Sequence, residues 1–452
     1  WFDKLNINRI IKMFIMKILF INFLLFFNII LAKANEASPT LVNPEEIGLS
    51  SEKLKNIDRK FNELIENNEI PGAVVAISRY GKVGYLKAFG MQDPVKKIQM
   101  SIDSIFRIYS MTKPIVSVGA MMLNENGKIY LDETLDKYIP EFSDMYVSKE
   151  TFENNISKES IIKSNKKIKL HDLLRHTSGF TYSSFGDSYA KRRLRDSVLG
   201  KRPLPANMTS NDFVIELSKY PLADYPGESW EYGRSTDVLG RVIEIASNKS
   251  LESFLDENIF SLLNMRDTGF YVERKNWNRI AEPFMDKEPS LINVTKRPLF
   301  FKGGHGLVST VPDYINFCHM MLNKGKFKGN QLLSKKTVEY MTTNHLHNNI
   351  KRSTSRIPGD GYGFGLGFAV RENDGVSVWP GTKGDYYWLG YGGTYFWIDP
   401  IEELVAISMT QSVTKRDKII SSLSSSQWGM SRCIVVSLIT VYGTYRFKFF
   451  RV

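Results

Sequence analysis

The sequence predicts a mixed α/β fold, an α+β sandwich in which an antiparallel sheet is flanked by helices and carries an inserted, mostly helical domain. Segments rich in β-forming residues occur before residue 107 and again after residue 300, whereas the stretch between them is mainly helical by pattern. Over 452 residues, a hydrophobic content of 42% supplies enough material for a large core. We therefore expect a sheet domain from residues 46–107 and 300–411, and a helical domain from residues 108–299.

Residues 1–34 are predicted to be upstream residues followed by a secretory signal peptide. Met16 and Lys17 precede a 14-residue apolar run, and the Ala-Lys-Ala of residues 32–34 supplies a small-x-small cleavage site. Cleavage near Ala34 would leave an exported protein, periplasmic or secreted. An uncleaved membrane anchor is the alternative, but the apolar run is shorter than the roughly 20 residues that a spanning helix needs.

The formal net charge of +12 is concentrated at the two ends of the chain, because residues 1–34 carry +4 and residues 415–452 carry +6. Residues 35–414 are nearly neutral and contain no arginine-rich stripe interleaved with aromatics, so nucleic acid is not an expected partner. The two cysteines, Cys318 and Cys433, are too few for a disulfide framework and lack metal-ligand spacing. No metal and no cofactor are expected.

Short-range patterns predict one helix and one hairpin at the start of the sheet domain. Residues 52–65 have apolar side chains at helical spacing, with Ser50 and Ser51 as candidate caps. Strands at 73–79 and 82–90 are joined by a Tyr-Gly turn. The hairpin is therefore expected to lie on the first helix.

Later segments supply a polar insertion, the rest of the sheet and an uncertain tail. Residues 154–168 are rich in Lys, Asn and Ser, which predicts a solvated insertion. Four segments predict further strands: 363–370, 375–379, 393–399 and 403–409. Residues 412–452 lose this periodicity, and either a C-terminal anchor or a frame-shifted or read-through end explains them.

A Ser-x-x-Lys spacing occurs six times, so the spacing alone does not identify a nucleophile. The six matches begin at Ser50, Ser110, Ser160, Ser164, Ser188 and Ser412. Only the second has a β-like lead-in before the serine and a long apolar helix after it. The context therefore selects Ser110.

Ser110 and Lys113 have the spacing of a nucleophile and its activating base. A serine at a helix N-terminus has free N–H groups and the helix dipole beside it, which favour a developing alkoxide. Lys113, one turn further along, shares its face of the helix. If the lysine is desolvated, its neutral amine accepts the serine proton. The alternative is an N-cap serine with a solvated lysine.

Several segments strengthen the first interpretation, because they resemble a known family in matching order. They are residues 106–123, 170–182, 225–232, 237–244 and 303–314. On these segments the chain resembles the serine β-lactamase-related superfamily: class C β-lactamases, penicillin-binding-protein-like serine hydrolases and, most of all, family VIII carboxylesterases. The resemblance covers residues of about 45 to 411 and implies a β-lactamase/transpeptidase-like fold and an acyl-enzyme formed without a cofactor.

The family's second motif, Tyr-x-Asn, corresponds here to Tyr232, Gly233 and Arg234. The resemblance implies that Tyr232 moves the proton to and from the nucleophile, with a core tyrosine as the alternative. The asparagine, which in similar β-lactamases contacts the lactam side chain, is absent. Lactam turnover is therefore less expected than ester turnover.

The third motif, on the strand that lines the site, corresponds to Trp388, Leu389 and Gly390, similar to the Trp-x-Gly of the esterases. No cation occupies this position, and Trp388 would offer an apolar wall to an ester, unless it only packs in the core. Gly390 would leave room for substrate beside the strand. The resemblance assigns the oxyanion hole to the backbone N–H groups of Ser110 and Tyr391.

The expected function is that of a serine hydrolase acting on esters, with a small-molecule ester or amide as its partner. A β-lactamase or a D-amino-acid carboxypeptidase shares the same acyl-enzyme step and stays an alternative. A catalytically silent cell-envelope binding protein is the alternative from another class. His305, in a Gly-Gly-His-Gly segment, is either a cleft residue or an ordinary loop residue.

Overall fold

The structure, a computed structural model, describes residues 16–17, 40–153, 156–201, 203–285, 291–352, 358–377 and 381–414. The predicted signal peptide and cleavage site, and the tail after residue 414, lie outside the described residues. Within the described part of the chain, no helix is long and apolar enough to cross a membrane.

The largest sheet has eight strands, all paired in antiparallel fashion, and joins the two ends of the described chain. In chain order the strands are β1 Gly72–Arg79, β2 Lys82–Asp93, β3 Ile98–Gln99, β4 Phe106–Arg107, β5 Tyr146–Glu153, β6 Ile156–Lys163, β7 Ser229–Trp230, β8 Val308–Ser309, β9 Lys326–Phe327, β10 Asn330–Gln331, β11 Lys351–Arg352, β12 Tyr362–Phe364, β13 Ala369–Arg371, β14 Tyr386–Leu389, β15 Tyr395–Asp399 and β16 Leu404–Thr410. The order of the strands in the largest sheet is β12-β13-β14-β15-β16-β1-β2-β3.

The described part of the chain has ten α-helices; seven of them lie between β4 and β8, and others pack against this sheet. The ten helices are α1 Ser51–Glu66, α2 Thr112–Glu125, α3 Leu170–Leu174, α4 Tyr189–Arg195, α5 Ser210–Leu217, α6 Ser235–Ser247, α7 Leu251–Leu255, α8 Ser261–Leu263, α9 Val311–Leu322 and α10 Lys335–Met341. The mixed architecture and the antiparallel sheet confirm the predicted fold class.

Strand β1 is the centre of the sheet because every one of its residues is buried. It pairs with β2 on one side and with β16, from the other end of the chain, on the other, so that Ala73 lies opposite Thr410. A strand that is buried on both faces is expected to be a continuous apolar run, as residues 73–77 are.

The first helix and hairpin form where the sequence predicts them. Ser50 caps α1 by accepting a hydrogen bond from the backbone N–H of Lys53. Phe61 on the buried face of α1 stacks on Phe89 of β2 with ring centroids 5.2 Å apart. Tyr80 has a positive φ in the turn of the hairpin, a conformation that matches the twist of the two strands.

The predicted strands beyond residue 360 need two corrections. The segment 363–370 is a hairpin of β12 and β13, because Gly367 has φ +94° and turns the chain. The prediction of a strand at 375–379 is wrong for its described residues, 375–377, which lie in a turn and a bend. The next strand of the sheet is instead β14, Tyr386–Leu389. Its four residues are all buried, so the sequence shows no alternation of apolar and polar side chains there.

The described part of the polar insertion, residues 156–168, contains more regular structure than its composition suggests. Residues of β6 pair with β5 over the full length of both strands. Residues 159–163 are solvent-exposed, as expected of the insertion. Composition predicted the exposure correctly, but cross-strand pairing, which the sequence pattern did not show, decides the backbone conformation.

Candidate active site

Ser110 lies in a short 3-10 turn, Tyr109–Met111, directly before α2. Strand β4, which leads into this turn, pairs with β8. Tyr109 has φ +44°, an uncommon conformation for a residue with a side chain. The Tyr109 hydroxyl accepts a hydrogen bond from the Ile292 N–H at 3.2 Å, which helps to hold the strained turn. Ser110 is thus presented, half-buried, at the start of a helix.

Lys113 is completely buried, and its amine lies 3.2 Å from the Ser110 hydroxyl oxygen. Its other contacts are neutral: it donates to the Gly304 carbonyl at 2.7 Å and lies 3.3 Å from the Tyr182 hydroxyl. Burial disfavours the ammonium and lowers the pKa of Lys113 to about 7, while the charge of Asp237 acts in the opposite direction. At neutral pH a large fraction of this lysine is a free amine.

The Gly304 peptide connects Lys113 to Asp237. The Gly304 N–H donates to the buried Asp237 carboxylate at 2.8 Å, while its carbonyl accepts from Lys113. A Cβ atom at Gly304 would lie 2.8 Å from that carboxylate, so only glycine allows this approach. His305 follows, with Nδ1 3.8 Å from the same carboxylate. The Gly-Gly-His-Gly loop therefore lies at the site and contributes mainly through its backbone.

Two tyrosines flank the buried lysine. Tyr232, predicted as the proton carrier, presents its ring 4.6 Å from the Lys113 amine. Tyr182 makes the hydroxyl contact described above, and the two tyrosine rings are 5.5 Å apart in an edge arrangement. An aromatic face attracts a cation, so these rings stabilise the ammonium that forms when Lys113 accepts a proton.

A buried ion pair holds the segments that carry these tyrosines. Glu231 accepts a hydrogen bond from Thr181 at 2.6 Å and pairs with Lys191 at 3.1 Å. Gly233 approaches the other segment so closely that a Cβ atom would lie 2.1 Å from the Phe180 carbonyl oxygen. Tyr182 and Tyr232 are therefore each next in sequence to a residue that holds the two segments together.

Trp388 lies in a buried aromatic layer behind Tyr232. Its ring packs edge-on against Tyr232 at 5.4 Å and against Phe364 at 5.2 Å, and it is 0% exposed. Leu389, beside it on β14, is also buried. The tryptophan therefore supports the tyrosine in this structure, and its direct contact with a substrate stays a prediction.

The structure gives Gly390 a role other than the expected one of leaving room for substrate. A Cβ atom there would lie 2.3 Å from the carbonyl oxygen of Ile108, two residues before the nucleophile. The glycine thus lets the end of β14 approach the turn that carries Ser110. The Tyr391 ring lies 5.4 Å from that of Tyr109, which brings the two predicted oxyanion donors, the N–H groups of Ser110 and Tyr391, into neighbouring segments.

Arg234 occupies the position of the family's asparagine, and it is buried. Its guanidinium donates to the Leu199 carbonyl at 3.1 Å and lies 3.5 Å from the Asp237 carboxylate. It also stacks over the Tyr182 ring at 5.0 Å. The side chain is therefore engaged by the protein on several sides.

Sequence reasoning missed three members of this site: Tyr182, Asp237 and the Gly304 carbonyl. Tyr182 and Asp237 both stand in segments that resemble the family, but neither belongs to a three-residue motif. A backbone carbonyl has no sequence signal of its own. In the described part of the chain, no group of three or more His, Cys, Asp or Glu residues is arranged to hold a metal ion.

Comparison with known proteins identifies the family of this chain. The model of the Beta-lactamase family matches residues 57–420. The chain belongs to this family. It is 29% identical to protein Rv1367c of Mycobacterium tuberculosis over 364 residues, which is 78% of this chain and 88% of that protein.

Esterases are among its relatives and structural neighbours. It is 28% identical to esterase EstB of Burkholderia gladioli over 258 residues, covering 56% of this chain and 60% of that esterase. The solved structure of EstCE1, described as a hydrolase with promiscuous acyltransferase activity, superposes with a TM-score of 0.69 at 24% identity. That match covers 86% of this chain and 98% of EstCE1, and it shows that the fold is shared.

Proposed function

We propose that the protein is a serine hydrolase that cleaves carboxylic esters through an acyl-enzyme on Ser110. One observation carries the proposal: a fully buried lysine with neutral hydrogen-bond partners lies 3.2 Å from the hydroxyl of a serine at a helix start. Because the pKa of Lys113 is lowered to about 7 by burial, its free amine is available as a base at neutral pH.

In the acylation step the Lys113 amine takes the Ser110 proton as Oγ attacks the ester carbonyl. The carbonyl oxygen becomes an oxyanion, which in this proposal the backbone N–H groups of Ser110 and Tyr391 bind. The tetrahedral intermediate then breaks its bond to the alcohol oxygen, and that oxygen leaves with a proton delivered from Lys113 through Tyr232. The acyl group remains on Ser110.

Deacylation repeats these transfers with water. A water molecule gives its proton to the Lys113–Tyr232 pair as it attacks the acyl carbon, and the bond to Ser110 Oγ breaks. Ser110 recovers its proton from Lys113, and the carboxylic acid leaves. No further reactant is needed.

Two features favour esters over β-lactams. Arg234 stands where similar β-lactamases have an asparagine, and its guanidinium is turned towards Leu199, Asp237 and Tyr182. Trp388, with no cation beside it in the third motif, offers nothing to a lactam carboxylate. Similarity to EstB supports the same choice. We expect turnover of short p-nitrophenyl esters and weak or absent hydrolysis of nitrocefin.

Labelling with a fluorophosphonate tests the nucleophile directly. Wild type should be labelled and Ser110→Ala should not. Ser188→Ala is the matched control, since it removes the serine of another Ser-x-x-Lys segment at a helix start, and its labelling should equal wild type. An unlabelled wild type would exclude the serine-hydrolase function, and rapid nitrocefin turnover without ester hydrolysis would reverse the substrate order.

Acyl transfer to an alcohol is a second candidate, favoured by the similarity to EstCE1. In that case an alcohol replaces water in deacylation and a new ester leaves. Product analysis in the presence of a short alcohol measures the ratio of transfer to hydrolysis.

We also propose, from the predicted signal peptide, that the protein acts outside the cytoplasm. N-terminal sequencing of the exported protein would test this localisation.

A further inference from the structure

Arg234 is a buried cation close to the proposed base, and the mechanism above gives it no role. Its Nε atom has no hydrogen-bond partner among the described residues, and its ion pair with Asp237 is long, at 3.5 Å. Burying a guanidinium is costly unless its charge is used or compensated. This arrangement therefore needs an explanation beyond packing.

The Tyr182 ring lies close to two cationic groups. Arg234 lies 5.0 Å from the ring centroid, and the Lys113 amine lies 5.5 Å from it and 3.3 Å from its hydroxyl. Phe213, 5.7 Å from the guanidinium, provides a second aromatic contact for Arg234. The Tyr182 ring is thus in contact with both the guanidinium of Arg234 and the amine of Lys113.

The charges around Lys113 oppose one another. Asp237 favours the ammonium form of Lys113, and Arg234 disfavours it, so the two act in opposite directions on the pKa of the lysine. The pKa of the half-buried Lys302 is likewise lowered by desolvation, with the charge of Asp237 raising it and the charge of Arg234 lowering it further. Other titratable or hydroxyl groups around this cluster, among the described residues, include Ser110, Tyr182, Tyr232, His176 and His305.

We propose that Arg234 is a positioning residue for acylation, which holds Tyr182 against Lys113 and offsets the charge of Asp237 so that Lys113 remains able to accept the Ser110 proton. This inference rests on the proposed function, because it assumes that Lys113 is the base. It assigns the arginine at the Tyr-x-Asn position a role in activating the nucleophile in place of a contact with substrate.

The rate of fluorophosphonate labelling as a function of pH measures this role without a known substrate. In wild type the rate should fall on the acid side with a midpoint near the lowered pKa of Lys113, about 7. In Arg234→Gln, Asp237 is no longer offset, and the midpoint should rise by about one pH unit, so that the rate at about pH 6 falls roughly tenfold. The alkaline plateau should fall much less.

Three further variants test the direction in which the midpoint of the pH profile shifts. Arg234→Lys keeps the charge and should keep the midpoint close to that of wild type. Asp237→Asn, whose amide oxygen still accepts from Gly304, should lower the midpoint, and the double variant Arg234→Gln/Asp237→Asn should return it towards wild type. Circular dichroism establishes that each variant is folded.

The outcomes separate the alternatives. If Arg234→Gln leaves the midpoint unchanged and lowers the labelling rate by the same factor at every pH, Arg234 only supports the fold and the inference is overturned. A midpoint shift in Arg234→Lys as large as in Arg234→Gln would also overturn it, as would failure of Arg234→Lys to fold. If wild type is not labelled at any pH, the proposed function itself fails, which is a different result from a labelled wild type with an unshifted variant.

Discussion

In the described part of the chain, two Ser-x-x-Lys segments begin helices and end in buried lysines, yet only one forms a candidate active site. Lys113 at the start of α2 has as partners a carbonyl and hydroxyls, and no carboxylate lies within hydrogen-bond distance of it among the described residues. Lys191 at the start of α4 is 3.1 Å from Glu231. A buried amine beside a carboxylate is compensated as an ion pair, whereas one beside neutral groups is driven to lose its proton.

A third segment shows what the spacing means without burial. Ser50 accepts a hydrogen bond from the Lys53 N–H as the N-cap of α1, and the Lys53 side chain is only half-buried. This is the alternative that the sequence left open for Ser110. The same local pattern thus yields a cap, an ion pair or a candidate base, according to what surrounds the lysine.

The largest expected effect follows from removing the lysine with neutral partners. Lys113→Met should lower kcat/KM for a p-nitrophenyl ester roughly 10⁴-fold, because Ser110 loses its base. Lys53→Met is the matched control and should stay within about twofold of wild type. Comparable losses in the two variants would mean that burial does not distinguish the segments.

The same variant should gain stability, which shows that its inactivity is not a folding defect. The pKa of Lys113 is lower in the folded state, about 7, than its ordinary 10.5, so the unfolded state binds more protons between these values. Wild type is therefore penalised most below about pH 7 and regains stability as the pH rises towards 10.5. By urea denaturation at neutral pH, Lys113→Met should be more stable by about 1–3 kcal/mol, and this advantage should shrink at alkaline pH.

Removing the ion-paired lysine should have the opposite consequence. Lys191→Met leaves Glu231 buried without its cation, and the free energy of unfolding should fall by about 3–5 kcal/mol. Activity per folded molecule should fall less than in Lys113→Met, since Glu231 acts only through the tyrosine segments. A stable Lys191→Met with abolished activity would instead place Lys191 in the chemistry.

The smallest effect concerns a neutral partner of Lys113. Tyr182→Phe removes a 3.3 Å hydrogen-bond contact but keeps the ring, and kcat/KM should fall about tenfold. Tyr220→Phe, whose hydroxyl bonds Glu216 on α5, is the control and should leave activity unchanged. A Tyr182→Phe enzyme as active as wild type would leave Tyr232 as the sole tyrosine that matters.

Sequence patterns predicted the parts of this protein that depend on neighbours along the chain. Helix α1 with its cap, the β1–β2 hairpin and the helix that follows Ser110 are set by spacings of a few residues. The resemblance of several segments led correctly to the beta-lactamase family and its fold. By contrast, β12 and β13 were predicted as one strand, because buried glycines and aromatics give no alternation.

The sequence by itself determined that Ser110 and Lys113 share one face at a helix start, since residues three apart on a helix are neighbours in any context. Only the tertiary structure decided that burial lowers the pKa of Lys113, because desolvation depends on groups distant in the chain. Gly304 is 191 residues from Lys113 and Tyr182 is 69. Their approach to one amine is a property of the packed core, where the loss of water, rather than spacing, makes a base out of a lysine.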